Sequence, residues 1–321
     1  MADFLWITEA EVVSMMDLPH AIRALEAGLR AEARGAARNM TKTHVAWGRS
    51  TLHAIGAAFP EAGLAGTKTW AHTEGGATPL LVLFDGGTGA LAAVVEAFAL
   101  GQMRTGAISG VATRFLSAPR AAEMAIVGTG RQALPQVAAV AAVRPLKRVR
   151  VFGRDETRRR AFAARVREEL EIEAVACASV AEAVRDAPIV TTVTRASEPF
   201  LASPMVAPGT HVNAVGAIVP AAAEVAPDLV RRAAVVVDSL PQARTLSREL
   251  IDAFGGSGPG WEHARSLAEV VAAPPRPASS DVTLFKSVGM GVSDLSLGVE
   301  LYRTAVERGL GRRLPHPQRA G

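Results

Sequence analysis

The stretch 124–140, MAIVGTGRQALPQVAAV, constrains this chain more than any other. An apolar run stops at Gly128-Thr129-Gly130 and resumes as a helix-forming segment, so free backbone amides and a positive helix end converge where a pyrophosphate can sit. Gly128 makes the tight turn, Gly130 lets phosphate approach the backbone, and Ala133 stands where a third glycine often permits close helix-to-strand packing. Pro135, lacking an N–H, is expected to bend the helix that follows. Alone this pattern is weak. It gains weight from the β-type runs that follow at 148–152, 172–177, 188–193, 210–215 and 234–238, most of them separated by helix-like segments. The sequence therefore predicts an α/β chain with a Rossmann-type dinucleotide-binding domain.

At 321 residues there is room for two domains with sizeable cores. The 49% hydrophobic and 21% charged composition is that of a soluble globular protein. The longest apolar stretch, 89–103, carries Glu96 in its middle and is too short to span a bilayer, so no membrane role is expected. The start, MADFLWITEAEVV, has early acids and no basic segment, which reads as cytoplasmic. The formal net charge of +4 comes from arginines spread along the chain, densest at Arg154, Arg158, Arg159 and Arg160. With only 5% aromatics there is no basic stacking face for nucleic acid. Cys177, the single cysteine, reads as a small core residue, and no metal site is expected.

Thr8 and Glu11 form a capping box before a short helix, after which Leu18, Ile22, Leu25 and Leu29 share one helical stripe ending near Gly35. From 43 to 95 the text turns to short strands, with Asp85 to Gly89 as a hairpin turn. Residues 97–116 read as a helix rich in small residues, with Gly106 and Gly110 spaced for close packing. Ser179 and Glu182 cap another helix, and Ala273 to Ala278 is a stiff proline-rich loop. Leu295, Val299, Tyr302 and Val306 make a last amphipathic stripe stopped by Gly309, and the tail from Arg312 reads as polar and loose. The expected organisation is an α+β domain over 1–117 and 293–321. A dinucleotide-binding domain over 118–292 is inserted into it.

Gly66-Thr-Lys68, Gly101-Gln-Met-Arg-Thr105, Gly128-Thr-Gly-Arg-Gln-Ala133, Asn213-Ala-Val-Gly216, Val237-Asp-Ser239 and Phe285-Lys-Ser-Val-Gly289 occur in the order found in one family. Across nearly its whole length the sequence resembles the ornithine cyclodeaminase/mu-crystallin family. The resemblance implies a homodimeric NAD(P)-dependent oxidoreductase in which the Rossmann domain is inserted into an α+β substrate-binding and dimerisation domain, and whose hydride moves between the coenzyme and the carbon of an amino or imino group beside a carboxylate. It leaves three readings open: reduction of the C=N bond of a small cyclic α-imino acid, ornithine cyclodeamination or alanine dehydrogenation, and NADPH binding without turnover. Family alone does not choose the substrate.

The resemblance also assigns residues. Arg104 falls on the family's carboxylate-binding arginine, whose fork fits a carboxylate, and Lys68 on its substrate-site lysine. Lys42 stands where relatives carry an arginine, exchanging a bidentate contact for a point charge. His53 occupies the position of a substrate-binding acid, although a hydrogen-bonded strand histidine is the plainer reading. Ile218 stands where the cyclodeaminase aspartate belongs and cannot transfer a proton, so reduction is favoured over cyclodeamination. The proton must then come from Lys68, from His53 or from an already protonated imine. Glu224 reads as a helix-start residue.

Thr105, Gly128, Thr129, Gly130, Arg131, Gln132, Arg154, Asp155, Arg158, Thr194, Val288 and Gly289 are the expected coenzyme residues. An acid after the second strand would hold the ribose hydroxyls of NAD, whereas Arg154 and Arg158 favour the 2′-phosphate of NADP(H) over NAD(H). Asp238 either binds ribose or caps the segment after it.

Overall fold

The computed structural model describes residues 3–273 and 281–318, so the proline-rich stretch beyond Ala273 lies outside the described residues. The chain divides into two compact units, Met1–Arg104 with Met290–Gly321, and Thr105–Gly289.

In chain order the first unit holds β1 (Phe4–Ile7), α1 (Glu9–Met15), α2 (Leu18–Ala33), β2 (Arg38–Asn39), β3 (Thr43–Trp47), β4 (Ser50–Phe59) and β5 (Leu64–Thr73). Then come β6 (Gly76–Ala77), β7 (Leu80–Asp85), β8 (Leu91–Glu96) and the first turns of α3 (Phe98–Leu116). Its sheet runs β1-β8-β7-β5-β4-β2, with β3 paired to β4 and β6 to β5. The central hairpins are antiparallel, so side chains alternate between faces. Leu64, Gly66 and Lys68 are buried on the face shared with Leu81, Leu83 and Ile55, while Ala65, Thr67 and Thr69 face the other way.

The sequence signals at its termini act as read. Thr8 accepts from the Glu11 amide while Glu11 reaches back to the Thr8 amide. At the hairpin turn the Asp85 carboxylate accepts from the Thr88 hydroxyl and from the amides of Thr88 and Gly87. These bonds, the Thr88 hydroxyl first, hold it below the usual carboxylate range.

The second unit contains β9 (Glu123–Val127), α4 (Ala133–Ala141), β10 (Arg148–Phe152), α5 (Glu156–Leu170), β11 (Glu173–Ala176), α6 (Val180–Val184), β12 (Ile189–Thr192) and β13 (His211–Ala214). It continues with α7 (Pro227–Arg232), β14 (Ala233–Val237), α8 (Leu240–Leu246), α9 (Arg248–Phe254), β15 (Arg265–Ser266), α10 (Leu267–Ala272) and β16 (Val282–Lys286). Its strands are all parallel in the order β11-β10-β9-β12-β13-β16-β14-β15, a doubly wound sheet whose order reverses beside β9.

The late strand β16 slips between β13 and β14, a pairing that the list of β-type runs omits. Every residue of β16 is buried, so the alternation that marks a half-exposed strand is missing, and Lys286 at its end disguises it further. Cys177 is buried just past β11, where apolar surroundings push its thiol up. Asn213 donates to Thr113 Oγ1 at 2.9 Å and so ties β13 to the later turns of α3.

Three readings are corrected here. Pro135 costs α4 no hydrogen bond: the helix begins at Ala133, so Pro135 sits in the first turn, where an N–H would have no helical partner. The tail is not loose at its start, because β17 (Arg312–Leu314) pairs antiparallel with β1. The closing helix, α11 (Gly291–Arg308), buries Leu295 and Val299 but leaves Val306 largely exposed, so the stripe covers only its first turns. Gly309, at φ 65°, ends it in the left-handed conformation glycine permits. Among the described residues no helix is long and apolar enough to cross a membrane.

Candidate active site

In the first unit the antiparallel register places His44 opposite His53, His53 opposite Trp70, and Ile55 opposite Lys68, all on one face of the sheet. Helix α11 lies across that face, and its first residue fixes how closely. A Cβ on Gly291 would fall 1.7 Å from the Gly56 carbonyl oxygen, so only glycine lets the helix start against the strand backbone. One turn later Asp294 reaches down with no exposed surface, and Lys68 Nζ lies 2.5 Å from its Oδ1. Arg104, in the second turn of α3, brings Nε to 3.3 Å from the same oxygen.

Two cations therefore share one carboxylate in a place nearly closed to water, where Lys68 is 4% exposed. The cluster carries one positive charge in surplus, which a substrate carboxylate would balance. Burial, reinforced by the positive charges of Arg104 and Lys42, lowers the Lys68 ammonium to about 8 against the pull of Asp294. Asp294, which no sequence motif singled out, is the centre of this candidate cluster. Its signal was an acid on the same helical face as Gly298, Leu301 and Ala305, where a solvated aspartate would not stand.

His53 is held as the plainer reading supposed. Its Nε2 meets Thr51 Oγ1 at 2.8 Å, and its ring stacks on Trp70 at 4.8 Å between centroids and on His44 at 5.6 Å. Lys68 Nζ stands 5.1 Å over the Trp70 ring, joining the row to the cation cluster. Burial first, then the positive charges of Lys42, His44 and His72, bring His53 down to about 4, so its ring is neutral at pH 7. Lys42, half-buried ahead of β3, is near enough to affect both His53 and Lys68.

In the second unit Gly128 adopts φ +118°, and a Cβ there would lie 2.5 Å from the Val193 carbonyl oxygen. The turn beyond it is open: a Cβ on Gly130 would meet nothing within 4 Å. The amides of Thr129, Gly130, Arg131 and Gln132 donate to no carbonyl among the described residues, while Ala133 N already bonds Gly130 O. Four free amides ahead of a helix, with no side chain over Gly130, fit a pyrophosphate.

At the end of the neighbouring β10, Arg154 and Arg158 are exposed. Asp155 is occupied as the N-cap of α5, accepting from the Arg158 amide at 2.9 Å. Arg159 is held back on the Gly153 carbonyl. Thr105 contributes its carbonyl to Gln136 Nε2 at 2.9 Å.

On the other side of β9, Thr194 follows β12, and Val288 and Gly289 follow β16. Asp238 accepts from the Ser287 hydroxyl and from the amides of Val288 and Gly289, so its carboxylate caps that turn. Glu224 starts no helix. It is fully buried and bonded to the loops after β12 and β13. Ile218 is exposed in the loop after β13.

A model of the ornithine cyclodeaminase/mu-crystallin family matches residues 3–309. Delta(1)-pyrroline-2-carboxylate reductase of Bacillus cereus (strain ATCC 10987 / NRS 248) is 35% identical over 239 residues, covering 73% of each chain. Ketimine reductase mu-crystallin of Rattus norvegicus is 34% identical over 215 residues, 67% of this chain and 66% of that one. Among solved structures, Delta(1)-pyrroline-2-carboxylate reductase of Thermococcus litoralis in complex with NADH and L-proline superposes with a TM-score of 0.90 at 26% identity. That match covers 97% of this chain and 100% of the other.

Proposed function

This chain belongs to the ornithine cyclodeaminase/mu-crystallin family, and from that premise we propose that it reduces the C=N bond of a small cyclic α-imino acid with a nicotinamide dinucleotide. The observation that carries this reading is the buried triad of Lys68, Asp294 and Arg104. Its one surplus positive charge suits an α-carboxylate, and Arg104 offers a planar fork to hold it in one orientation. When bound, the coenzyme supplies the hydride.

Lys68 supplies the proton. A lysine near 8 is largely protonated at neutral pH yet acidic enough to give its proton to an imine nitrogen that becomes an amine. The neutral lysine then recovers a proton from water, and Asp294 holds it in place through both states. His53, neutral at pH 7, is no proton donor; stacked between His44 and Trp70, it braces the row of rings beside Lys68. Lys42 adds a positive charge at its edge. Ile218 supports reduction over cyclodeamination, since the loop after β13 carries no acid where amine elimination would need one.

The turn from Gly128 to Gln132 would hold the pyrophosphate, with Thr105, Thr194, Val288 and Gly289 serving the rest of the coenzyme. Two features support NADP(H) over NAD(H): Arg154 and Arg158 are exposed at the end of β10, and Asp155 is engaged in capping its own helix. A second copy of the chain completes the proposed assembly, covering an apolar sheet face of the first unit.

The direct experiment is a panel of 2-imino acids, led by pyrroline- and piperideine-2-carboxylate, followed by coenzyme absorbance with NADPH and with NADH. Turnover of a cyclic imine supports the reading. Proline and ammonia formed from ornithine as the dominant reaction would replace it with cyclodeamination. Tight coenzyme binding with no turnover on any member would make the chain a binding protein.

A further inference from the structure

Beyond the residues that face a ligand, the second unit contains a buried charged chain. Lys286 Nζ, at the end of β16, lies 2.5 Å from Glu249 Oε2, and both side chains are 1% exposed. Glu249 Oε1 accepts the amides of Glu224 at 2.7 Å and Val225 at 3.1 Å. Glu224 in turn accepts from four donors: Thr192 Oγ1 at 2.9 Å, and the amides of Thr194 at 2.6 Å, Gly216 at 2.8 Å and Ala217 at 3.2 Å.

A buried carboxylate is tolerated only when donors replace its lost water, and here all four come from the segments that end β12 and β13. The fit is close: a Cβ on Gly216 would lie 2.3 Å from the Thr194 carbonyl oxygen and 2.4 Å from Glu224 Oε1. Further along, backbone bonds such as Ala223 N to Ala196 O and Ala226 N to Leu201 O join the two loops, but where they leave β12 and β13 it is this one side chain that gathers the Thr194, Gly216 and Ala217 amides.

Those loops lie at the carboxyl ends of strands on one side of the sheet's switch point. The glycine turn follows β9, and Arg154 follows β10 on the opposite side. A dinucleotide whose pyrophosphate sits at β9 and whose adenosine ribose lies toward β10 must extend its other half over β12 and β13.

We propose that Glu224 is a positioning residue for the nicotinamide half of the coenzyme, holding the Thr194 and Gly216–Ala217 backbone in the shape that half requires. Glu249 and Lys286 anchor it from beneath. This rests on the proposed function only in taking the coenzyme to be a nicotinamide dinucleotide, whichever substrate is reduced.

The test measures binding to the substrate-free protein by titration. NADPH and NADH are compared with 2′-phospho-ADP-ribose and ADP-ribose, which lack the nicotinamide. In Glu224→Gln an amide N–H₂ replaces one acceptor oxygen and faces donors. Its coenzyme affinity should drop tenfold or more, whereas affinity for the truncated ligands should change less than twofold. Thr192→Val removes a single donor at equal size and should weaken coenzyme binding about threefold, again sparing the truncated ligands.

Equal weakening of coenzyme and truncated ligand, or no change in either, would make Glu224 a purely structural residue and overturn the proposal. If Glu224→Gln fails to fold, Thr192→Val decides by the same comparison. Wild-type protein that binds neither coenzyme would overturn the proposed function and this inference together, and is distinguished from the other outcomes by that first titration.

Discussion

Lys68 makes the most specific claim at the scale of single residues. Because burial holds it near 8, it carries its proton below that pH and loses it above, so kcat/KM for imine reduction should fall about tenfold per unit once pH exceeds 8. Amine oxidation needs the free base, so its rate should rise through the same range. Lys68→Arg keeps the charge but cannot release a proton near neutrality. Its reduction should be roughly 10²-fold slower or more and lose the break near 8, measured as a pH profile against wild type. A break that persists in Lys68→Arg would assign the proton to another group.

Arg154 gives a second single-residue test. Arg154→Asp should turn the ratio of kcat/KM for NADPH over NADH from above one to below it, with imine KM little changed. A wild-type ratio already below one would remove the NADP(H) assignment. Lys68, Arg104 and the glycine turn were legible because each lies in a short contiguous motif. Asp294 was not, since it acquires its meaning from Lys68, 226 positions away in sequence. Glu224 was misjudged for a similar reason: an acid ahead of a short apolar run looks like a cap until its four donors are seen.

At the scale of elements, local pattern served for the longer runs, and missed β1 although its side chains alternate between half-exposed and buried. The Thr8–Glu11 capping box, the strands β3, β4, β5, β7 and β8 and the buried stripe of α2 could all be read from short-range sequence pattern. It failed at β16, buried on both faces, and at β17, whose Arg312-Arg313-Leu314 resembles a solvated tail until β1 supplies its partner. What spacing cannot show is how closely two elements approach, and α11 depends on this.

Gly291→Ala would drive a Cβ into the Gly56 backbone, which cannot yield without moving the strand or lifting the helix and Asp294 with it. It should lower stability by about 1–3 kcal/mol and raise imine KM while coenzyme affinity is kept, read by thermal unfolding and steady-state kinetics. Gly298→Ala is the control. Its Cβ would meet Leu81 Cδ2, the end of a side chain that can turn aside, so both effects should be smaller. Equal damage from the two would mean that the approach at Gly291 does not set the position of Asp294.

For the whole molecule, the sheet of the first unit poses a question of solubility. An antiparallel sheet covered on one face ordinarily presents polar side chains on the other. Here α11 covers the Lys68 face, yet the opposite face turns out Val45, Trp47, Leu52 and Phe84, with Trp47 50% and Val45 57% exposed. Exposed apolar side chains gathered on one face suit an association site, and the second copy proposed above would meet it across a twofold axis with the same residues.

The wild-type chain should therefore behave as a dimer by light scattering at concentrations on the order of 10 μM, a range that interfaces of ordinary size readily hold. Leu52→Lys combined with Trp47→Ser places a charge and a polar group in the centre of the patch and should yield a monomer. Neither residue lies on the Lys68 face, so the monomer should keep its coenzyme affinity, and any loss of turnover would then report what the second copy contributes. A wild-type protein that remains monomeric at these concentrations would leave the apolar face without its proposed occupant.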